Sequence, residues 1–151
     1  MTPVTIALES PRRPDVAALV AELDAYLEAL YPPEDNHLLS IDALSEPDVR
    51  FFVARRRGEA LGCGALRIDA GWGEVKRMFV RPAARGLKLG RFLLARIAEE
   101  ARREGLGLLR LETGTLQPEA IGLYRSAGFV ERGPFGTYED SAISVFMEKA
   151  L

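Results

Sequence analysis

The stretch from Val75 to Leu94 constrains the fold more than any other part of the chain. It opens with an apolar, strand-like run that ends at Arg81-Pro82. The loop R-G-L-K-L-G follows at positions 85–90, and an amphipathic helical pattern begins directly after it. This order places unpaired backbone N–H groups and the positive end of a helix dipole beside one short loop. The stretch therefore predicts a site for a phosphate or pyrophosphate group.

Composition restricts the class of protein around that site. A chain of 151 residues is expected to form one domain, residues 1–151. Its net charge of -2 disfavours a nucleic-acid partner. Because Cys63 is the only cysteine and His37 the only histidine, we expect neither an internal disulfide nor a metal site. The sequence has no basic and apolar leader and no run of about 20 apolar residues, so we expect no membrane partner and a cytoplasmic location.

Hydrophobic periodicity predicts strands and helices in the order β-α-β-β-β-α-β-α-β-β. The predicted strands cover 2–8, 48–57, 60–68, 74–80, 106–112, 129–130 and 143–148; the predicted helices cover 14–31, 90–104 and 117–127, with a weaker helical turn within 38–44. The middle strands predict an antiparallel meander, and the strand-helix-strand unit after them predicts a right-handed crossover. The fold class is therefore α/β (α+β), with a mixed, mostly antiparallel, twisted sheet of about six or seven strands and helices on both faces.

A second motif follows the loop by about thirty residues and has the sequence A-I-G-L-Y-R-S-A-G-F at positions 120–129. The loop and this segment resemble two motifs of the GNAT superfamily of N-acetyltransferases, the R-x-x-G-x-G/A acyl-CoA loop and the A-x-x-L-Y-x-x-x-G-F segment. Their order and spacing match, and the resemblance covers roughly residues 73–130. Lys88 departs from the loop pattern because the family usually has glycine there. Its backbone either stays in an allowed region or accepts a strain of about 1–3 kcal/mol.

The resemblance implies transfer of an acetyl group from acetyl-CoA to a primary amine by direct attack in a ternary complex. In the family, the strand before the loop offers backbone groups to the pantetheine arm, and the loop amides hold the pyrophosphate. Gln117 stands where the second motif often carries asparagine. The implied cofactor-binding residues are Met78, Phe79, Val80, Arg85, Gly86, Leu87, Lys88, Leu89, Gly90, Arg91 and Gln117.

Glu74 stands where many family members have a general base. Strand alternation predicts that Glu74 shares a face with Lys76, Met78 and Val80. The alternative for Glu74 is a structural carboxylate at the strand edge, paired with Lys76 or Arg77. The alternative base is Glu112, at the end of the next predicted strand.

Tyr124 matches the tyrosine that protonates the departing CoA thiolate in many members of the family. A phenol can do this because its pKa lies above that of a thiol. The alternative for Tyr124 is an aromatic residue of the core at the end of a helix. Cys63 lies between two glycines in a predicted strand, and we interpret it as a small buried residue.

Two residues are implied on the acceptor side. His37 follows the first helix, and Tyr138 lies in the loop between the last two strands; both regions line the acceptor side in family members. The expected acceptor is a small-molecule amine, an amino acid or a peptide amine. Two alternatives remain open, a non-catalytic acyl-CoA-binding module and an acetyltransferase of proteins. The resemblance also allows a homodimer, because the final strands often pair in family dimers.

Overall fold

A computed structural model of the chain describes residues 3–33 and 40–151. The order of its elements agrees with the predicted order, with a short helix where the weak helical turn was expected. The strands are β1 (Thr5–Leu8), β2 (Val49–Arg56), β3 (Glu59–Ile68), β4 (Trp72–Val80), β5 (Leu108–Gly114), β6 (Val130–Arg132) and β7 (Ser144–Ala150). The helices are α1 (Pro14–Leu30), α2 (Ile41–Leu44), α3 (Leu89–Arg103) and α4 (Pro118–Ser126), and a 3₁₀ turn covers Pro82–Ala84.

The strands form one mixed sheet in the order β1-β2-β3-β4-β5-β7-β6. β4 and β5 are parallel, and every other neighbouring pair is antiparallel. The expected mixed, mostly antiparallel sheet is therefore confirmed, as is the antiparallel meander of β2, β3 and β4. The parallel pair flanks α3, as a βαβ unit requires.

Helices cover both faces of this sheet, which confirms the expected layers. On one face α3 and α4 contribute Leu93, Ile97 and Tyr124 to a large apolar core. On the other face α1 contributes Val16 and Leu19 to a second core that also contains Cys63. The sequence favours a helix start at α1. Its first turn contains Pro14 and an acidic residue, which suit the free N–H groups and the dipole there.

A β-bulge interrupts β4 opposite Gly64. The pairing passes from Cys63 with Phe79 to Ala65 with Lys76, so Gly64 faces two residues of β4, Arg77 and Met78. Arg77 has a φ of 58°. Its side chain turns towards α1, where its Nη1 lies 2.5 Å from Oδ1 of Asp24. A bulge of this kind reverses the alternation of side chains along a strand.

The bulge corrects one prediction about β4. Val75 belongs to the core under α3, so the alternating neighbours Glu74 and Lys76 point to the opposite face. After the bulge, Met78 and Val80 also pack against the core under α3. The prediction that Glu74, Lys76, Met78 and Val80 share one face is therefore wrong, because one extra residue separates the two halves of the strand.

β4 and β5 separate soon after they meet. They pair only from Trp72 to Glu74 on β4 and from Leu108 to Arg110 on β5. β4 continues to Val80 and β5 to Gly114 without pairing with each other. The sheet is therefore split open towards the carboxyl ends of its two central strands, and the candidate site lies in this split.

Candidate functional site

A groove runs along the end of β4, the loop before α3 and the first turns of α3 and α4. Its volume is about 480 Å³. Nearly all the residues that the resemblance implied for the cofactor line it: Met78, Phe79, Val80, Arg85, Gly86, Lys88, Leu89, Gly90, Arg91 and Gln117. The sequence therefore predicted one continuous surface of the folded chain.

Leu87 is the exception among these residues. Its N–H donates to the carbonyl of Ala84 at 3.3 Å. Its side chain packs against the core under α3 and lies outside the groove. Leu87 therefore shapes the loop from behind and does not form part of the groove wall.

The loop presents backbone amides, which suit an anion, at the start of α3. Lys88 is the N-cap residue of α3, with φ 59° and ψ 28°, and no side chain caps this end. The first helical bond here runs from the N–H of Phe92 to the carbonyl of Lys88, so the amides of residues 88–91 precede it. Gly86 has a φ of 93°, where glycine is favoured. The left-handed backbone of Lys88 explains why the family prefers glycine at this position.

A close contact between α3 and α4 forms the floor of the groove. A Cβ atom added to Gly90 would lie 2.8 Å from Cδ2 of Leu123. Across the mouth, Arg85 faces Glu119 with a distance of 3.5 Å between Nη1 and Oε2. Both side chains are exposed, so an incoming phosphate can displace Glu119 from Arg85 at little cost.

A smaller cavity of about 90 Å³ lies in the split between β4 and β5. Glu74, Lys76, Glu112 and Ser144 belong to its wall. Met78, Gln117 and Tyr124 line both this cavity and the groove. These three residues therefore mark the junction at which a molecule in the groove meets a molecule in the cavity.

Tyr124 is buried at this junction. Its ring packs edge-on against Phe129, with 5.9 Å between the ring centroids. Burial raises the pKa of the Tyr124 phenol. Within residues 3–33 and 40–151 its hydroxyl has no recorded hydrogen bond. The phenol therefore keeps its proton at neutral pH and lies at the junction of groove and cavity.

Glu74 is buried, with 1% of its surface exposed, and it is held by three side chains. Oε1 lies 3.4 Å from Nη2 of Arg67, and Oε2 lies 3.3 Å from Nζ of Lys76. The hydroxyl of Tyr138 donates to Oε2 at 2.5 Å. Lys76 in turn donates to the Tyr138 oxygen at 2.8 Å. Glu74, Lys76 and Tyr138 therefore contact one another on the cavity side of the junction.

Burial shifts the pKa values of two members of this network. Burial lowers the pKa of Lys76, and the nearby Glu74 opposes this shift. Burial and the charge of Glu74 both raise the pKa of Tyr138, so the phenol stays protonated and acts as the donor to Glu74. The structure thus brings Tyr138 to the same site as Glu74, where its hydroxyl contacts the carboxylate directly.

Glu112 lies across the split on β5 and accepts a hydrogen bond from Oγ of Ser144 at 3.0 Å. It lines the same cavity as Glu74, so both carboxylates that the sequence offered as bases reach the site. His37, the other implied acceptor residue, lies outside the described residues.

Sequence reasoning missed two residues of the site. Lys76 was considered only as a partner for Glu74, although it lines the cavity itself. The signal in the sequence is weak, because the only distinction of Lys76 is that the chain has three lysines among its 20 basic residues. Tyr31, at the end of α1, also lines the cavity. No local pattern marks Tyr31, because its contact with the site depends on how α1 packs on the sheet.

Cys63 is fully buried, which confirms its interpretation. Burial raises the pKa of its thiol to about 12, and its Sγ donates to the carbonyl of Arg77 at 3.2 Å.

In the part of the chain that the structure describes, no cluster of three or more His, Cys, Asp or Glu side chains could hold a metal ion. The helices in those same ranges include none with the length and apolar character needed to cross a membrane.

Known structures share this architecture. A Klebsiella pneumoniae protein described as a candidate acyl-CoA N-acyltransferase superimposes with a TM-score of 0.84 at 39% identity, over 98% of this chain and 97% of that one. The fold is thus that of acyl-CoA N-acyltransferases. The Acetyltransferase (GNAT) family matches residues 16–129, and the chain belongs to this family. It is therefore an acyltransferase of the N-acetyltransferase type.

Two relatives resemble it along nearly their whole length. An IAA acetyltransferase of Azospirillum brasilense is 57% identical over 153 residues, which cover 100% of each chain. An uncharacterized N-acetyltransferase of Bacillus subtilis, YsnE, is 38% identical over 90% of this chain and 92% of its own.

Proposed function

We propose that the protein transfers an acetyl group from acetyl-CoA to a primary amine of a small molecule, amino acid or peptide, by direct attack in a ternary complex. The observation that carries this proposal is the junction of groove and cavity at Met78, Gln117 and Tyr124. A thioester at the end of the groove meets an amine in the cavity only there.

The groove supplies what an acyl-CoA needs. The amides at the start of α3 and the side chain of Lys88 hold the pyrophosphate. Beyond Glu74, the edge of β4 no longer pairs with β5, so its backbone groups are available to the amides of the pantetheine arm. Pairing of this kind adds a strand-like ligand to an open sheet edge.

The proposed reaction brings together a thioester on the groove side of the junction and an amine on the cavity side. The amine nitrogen attacks the thioester carbon, a C–N bond forms and the C–S bond breaks. Tyr124 gives its proton to the CoA thiolate, and the proton lost by the amine passes to Glu74, directly or through water. The amides of β4 near Met78 face the developing oxyanion. Glu112 is the alternative proton acceptor on the opposite wall.

The cavity favours an acceptor with a slender amine end. Its volume of about 90 Å³ suits the amine end of a small acceptor, while the rest of the acceptor must lie towards the open side. The acceptor of the Azospirillum brasilense relative, named as an IAA acetyltransferase, belongs in any first panel of candidates. We propose a small molecule rather than a protein, because the cavity is narrow and polar.

The test measures release of CoA thiol from acetyl-CoA across a panel of amines, amino acids and short peptides. We expect turnover with at least one small primary amine and a stoichiometric acetylated product by mass spectrometry. Calorimetric titration with CoA, run in parallel, separates the alternatives: binding without thiol release identifies a non-catalytic module, and absence of binding contradicts the proposal altogether.

A further inference from the structure

Tyr31 ties the end of α1 to the turn that leads into α4. It directly follows α1 and is buried. Its hydroxyl accepts a hydrogen bond from the N–H of Leu116 at 3.2 Å and donates one to Oε1 of Gln117 at 3.2 Å. Leu116 and Gln117 both line the groove. One hydroxyl therefore contacts both the backbone and a side chain of the groove wall.

Gly114 makes this contact possible. A Cβ atom added to Gly114 would lie 1.8 Å from Oη of Tyr31 and 2.4 Å from Cζ of the same ring. The N–H of Gln117 donates to the carbonyl of Gly114 at 3.0 Å, which closes the turn of residues 114–117. The tyrosine hydroxyl thus occupies the space that a side chain on this turn would fill.

Gln117 is placed by Tyr31 and not by its own helix. It is the N-cap residue of α4, but its side chain makes no capping hydrogen bond. Ser, Thr, Asp and Asn are the usual residues for that task. Because Oε1 of Gln117 accepts from Tyr31, the N–H groups of the same amide are directed away from the tyrosine. The amide therefore has a fixed orientation at the junction of groove and cavity.

We infer that Tyr31 is a positioning residue for acyl-CoA, which orients the Gln117 amide and holds the turn of residues 114–117 against the pantetheine end of the cofactor. This inference rests on the proposed use of acetyl-CoA. It assigns Tyr31 no contact with the reacting atoms. The nucleotide end of the cofactor lies at the start of α3, away from this turn, so Tyr31 acts on one end of the ligand alone.

The substitution Tyr31→Phe tests the inference because it keeps the ring and removes the hydroxyl. Calorimetry with CoA and with adenosine 3′,5′-bisphosphate, the nucleotide half of CoA, gives the readout. We expect the Kd of CoA to rise about tenfold, as for the loss of an orienting hydrogen bond, and the Kd of the bisphosphate to stay unchanged. In turnover, KM for acetyl-CoA rises in parallel while kcat is retained.

A second pair of variants checks the same contact from the other side. Gly114→Ala displaces the tyrosine hydroxyl and is expected to weaken CoA binding to the same degree. Gly122→Ala is its matched control, because a Cβ there has open space and Gly122 lies outside the groove. In the double variant Tyr31→Phe with Gln117→Ala, the losses should not add, since both remove one interaction.

Three results would overturn the inference. Tyr31→Phe binds CoA like the unchanged protein, or it weakens CoA and the bisphosphate equally, or its effect adds fully to that of Gln117→Ala. In the second case the tyrosine supports the whole groove and has no selective role. If the unchanged protein fails to bind CoA, the proposed function fails as well, and that result is seen before any variant is made.

Discussion

At the scale of single residues, Glu74 carries a negative charge in the interior. A buried carboxylate is costly unless it is paired, and here Arg67, Lys76 and Tyr138 compensate it. We expect Glu74→Gln to lower kcat about 10²- to 10⁴-fold, because the substitution removes the proton acceptor. Steady-state kinetics over a pH series measures this loss.

The control for Glu74→Gln is Glu59→Gln, on an exposed residue at the start of β3. Its kcat should equal that of the unchanged protein. A retained kcat in Glu74→Gln would move the role of base to Glu112 across the split.

Tyr124 gives a prediction of a different kind. Tyr124→Phe keeps the ring that packs on Phe129 and removes only the hydroxyl at the junction. We expect kcat to fall about 10²-fold or more while the Kd of CoA is unchanged, because the hydroxyl acts on the departing thiolate. Single-turnover kinetics with a thiol reagent measures the chemical step directly, and calorimetry measures the Kd. An unaltered chemical step removes Tyr124 from the mechanism.

The residues differ in how far the sequence could predict them. Tyr124 lies in a motif, and Glu74 stands where many family members have a general base, so the resemblance indicated both residues. Lys76 and Tyr31 reach the site through the packing of β4 and α1, which no local pattern records. Tyr138 was expected to contact the acceptor, but its bond to Glu74 depends on a loop and a strand more than sixty residues apart.

At the scale of elements, the loop before α3 combines two opposing effects at Lys88. Its left-handed backbone is strained for a residue with a side chain, whereas its ammonium favours an anion in the groove. We expect Lys88→Gly to raise the free energy of unfolding by about 1 kcal/mol and to weaken CoA binding about two- to fivefold.

Thermal unfolding and calorimetry at low and high salt measure the two effects of Lys88→Gly. The difference in CoA affinity should shrink at high salt, because an exposed charge is screened there. A variant that is no more stable and binds CoA equally well at both salt concentrations would show that Lys88 is neutral in both respects.

β4 shows which features of a strand can be predicted from the sequence and which cannot. Its position and length are predicted well, because an apolar run followed by Arg81-Pro82 is a strong local signal. The bulge in β4 is not predicted, because a bulge depends on the register between β4 and β3 at Gly64. One extra residue moved Met78 to the other face, so a correct strand still gave a wrong set of neighbours.

At the scale of the whole molecule, buried tyrosines make stability depend on alkaline pH. The pKa values of Tyr31, Tyr124 and Tyr138 are raised in the fold, in each case first by burial. Since the unfolded chain loses these protons more readily, their contribution to stability is complete below about pH 10, the ordinary pKa of tyrosine. It is lost as the pH rises towards the raised values.

We therefore expect the Tm to fall steeply above about pH 10. Tyr124→Phe should reduce the steepness of this fall, because one of the three phenols is then absent. A calorimetric pH series measures the slope for both proteins. Equal slopes would indicate that Tyr124 titrates alike in the folded and unfolded chains.

The order of elements across the molecule could be predicted because strands and helices have distinct periods along the chain. The sequence could not predict which strands are neighbours on the β5-β7-β6 side of the sheet. β7 lies between β5 and β6, an arrangement that depends on long-range pairing and not on local propensity.

The split between β4 and β5 has a mechanical consequence. Only three residues of each strand join a sheet of four strands to a sheet of three. We expect a ligand whose backbone-like amides lie along β4 to extend the row of hydrogen bonds where β4 and β5 separate. Under the proposed function, we expect bound acyl-CoA to act as a structural splint that holds the two half-sheets together, and the release of CoA to loosen this seam.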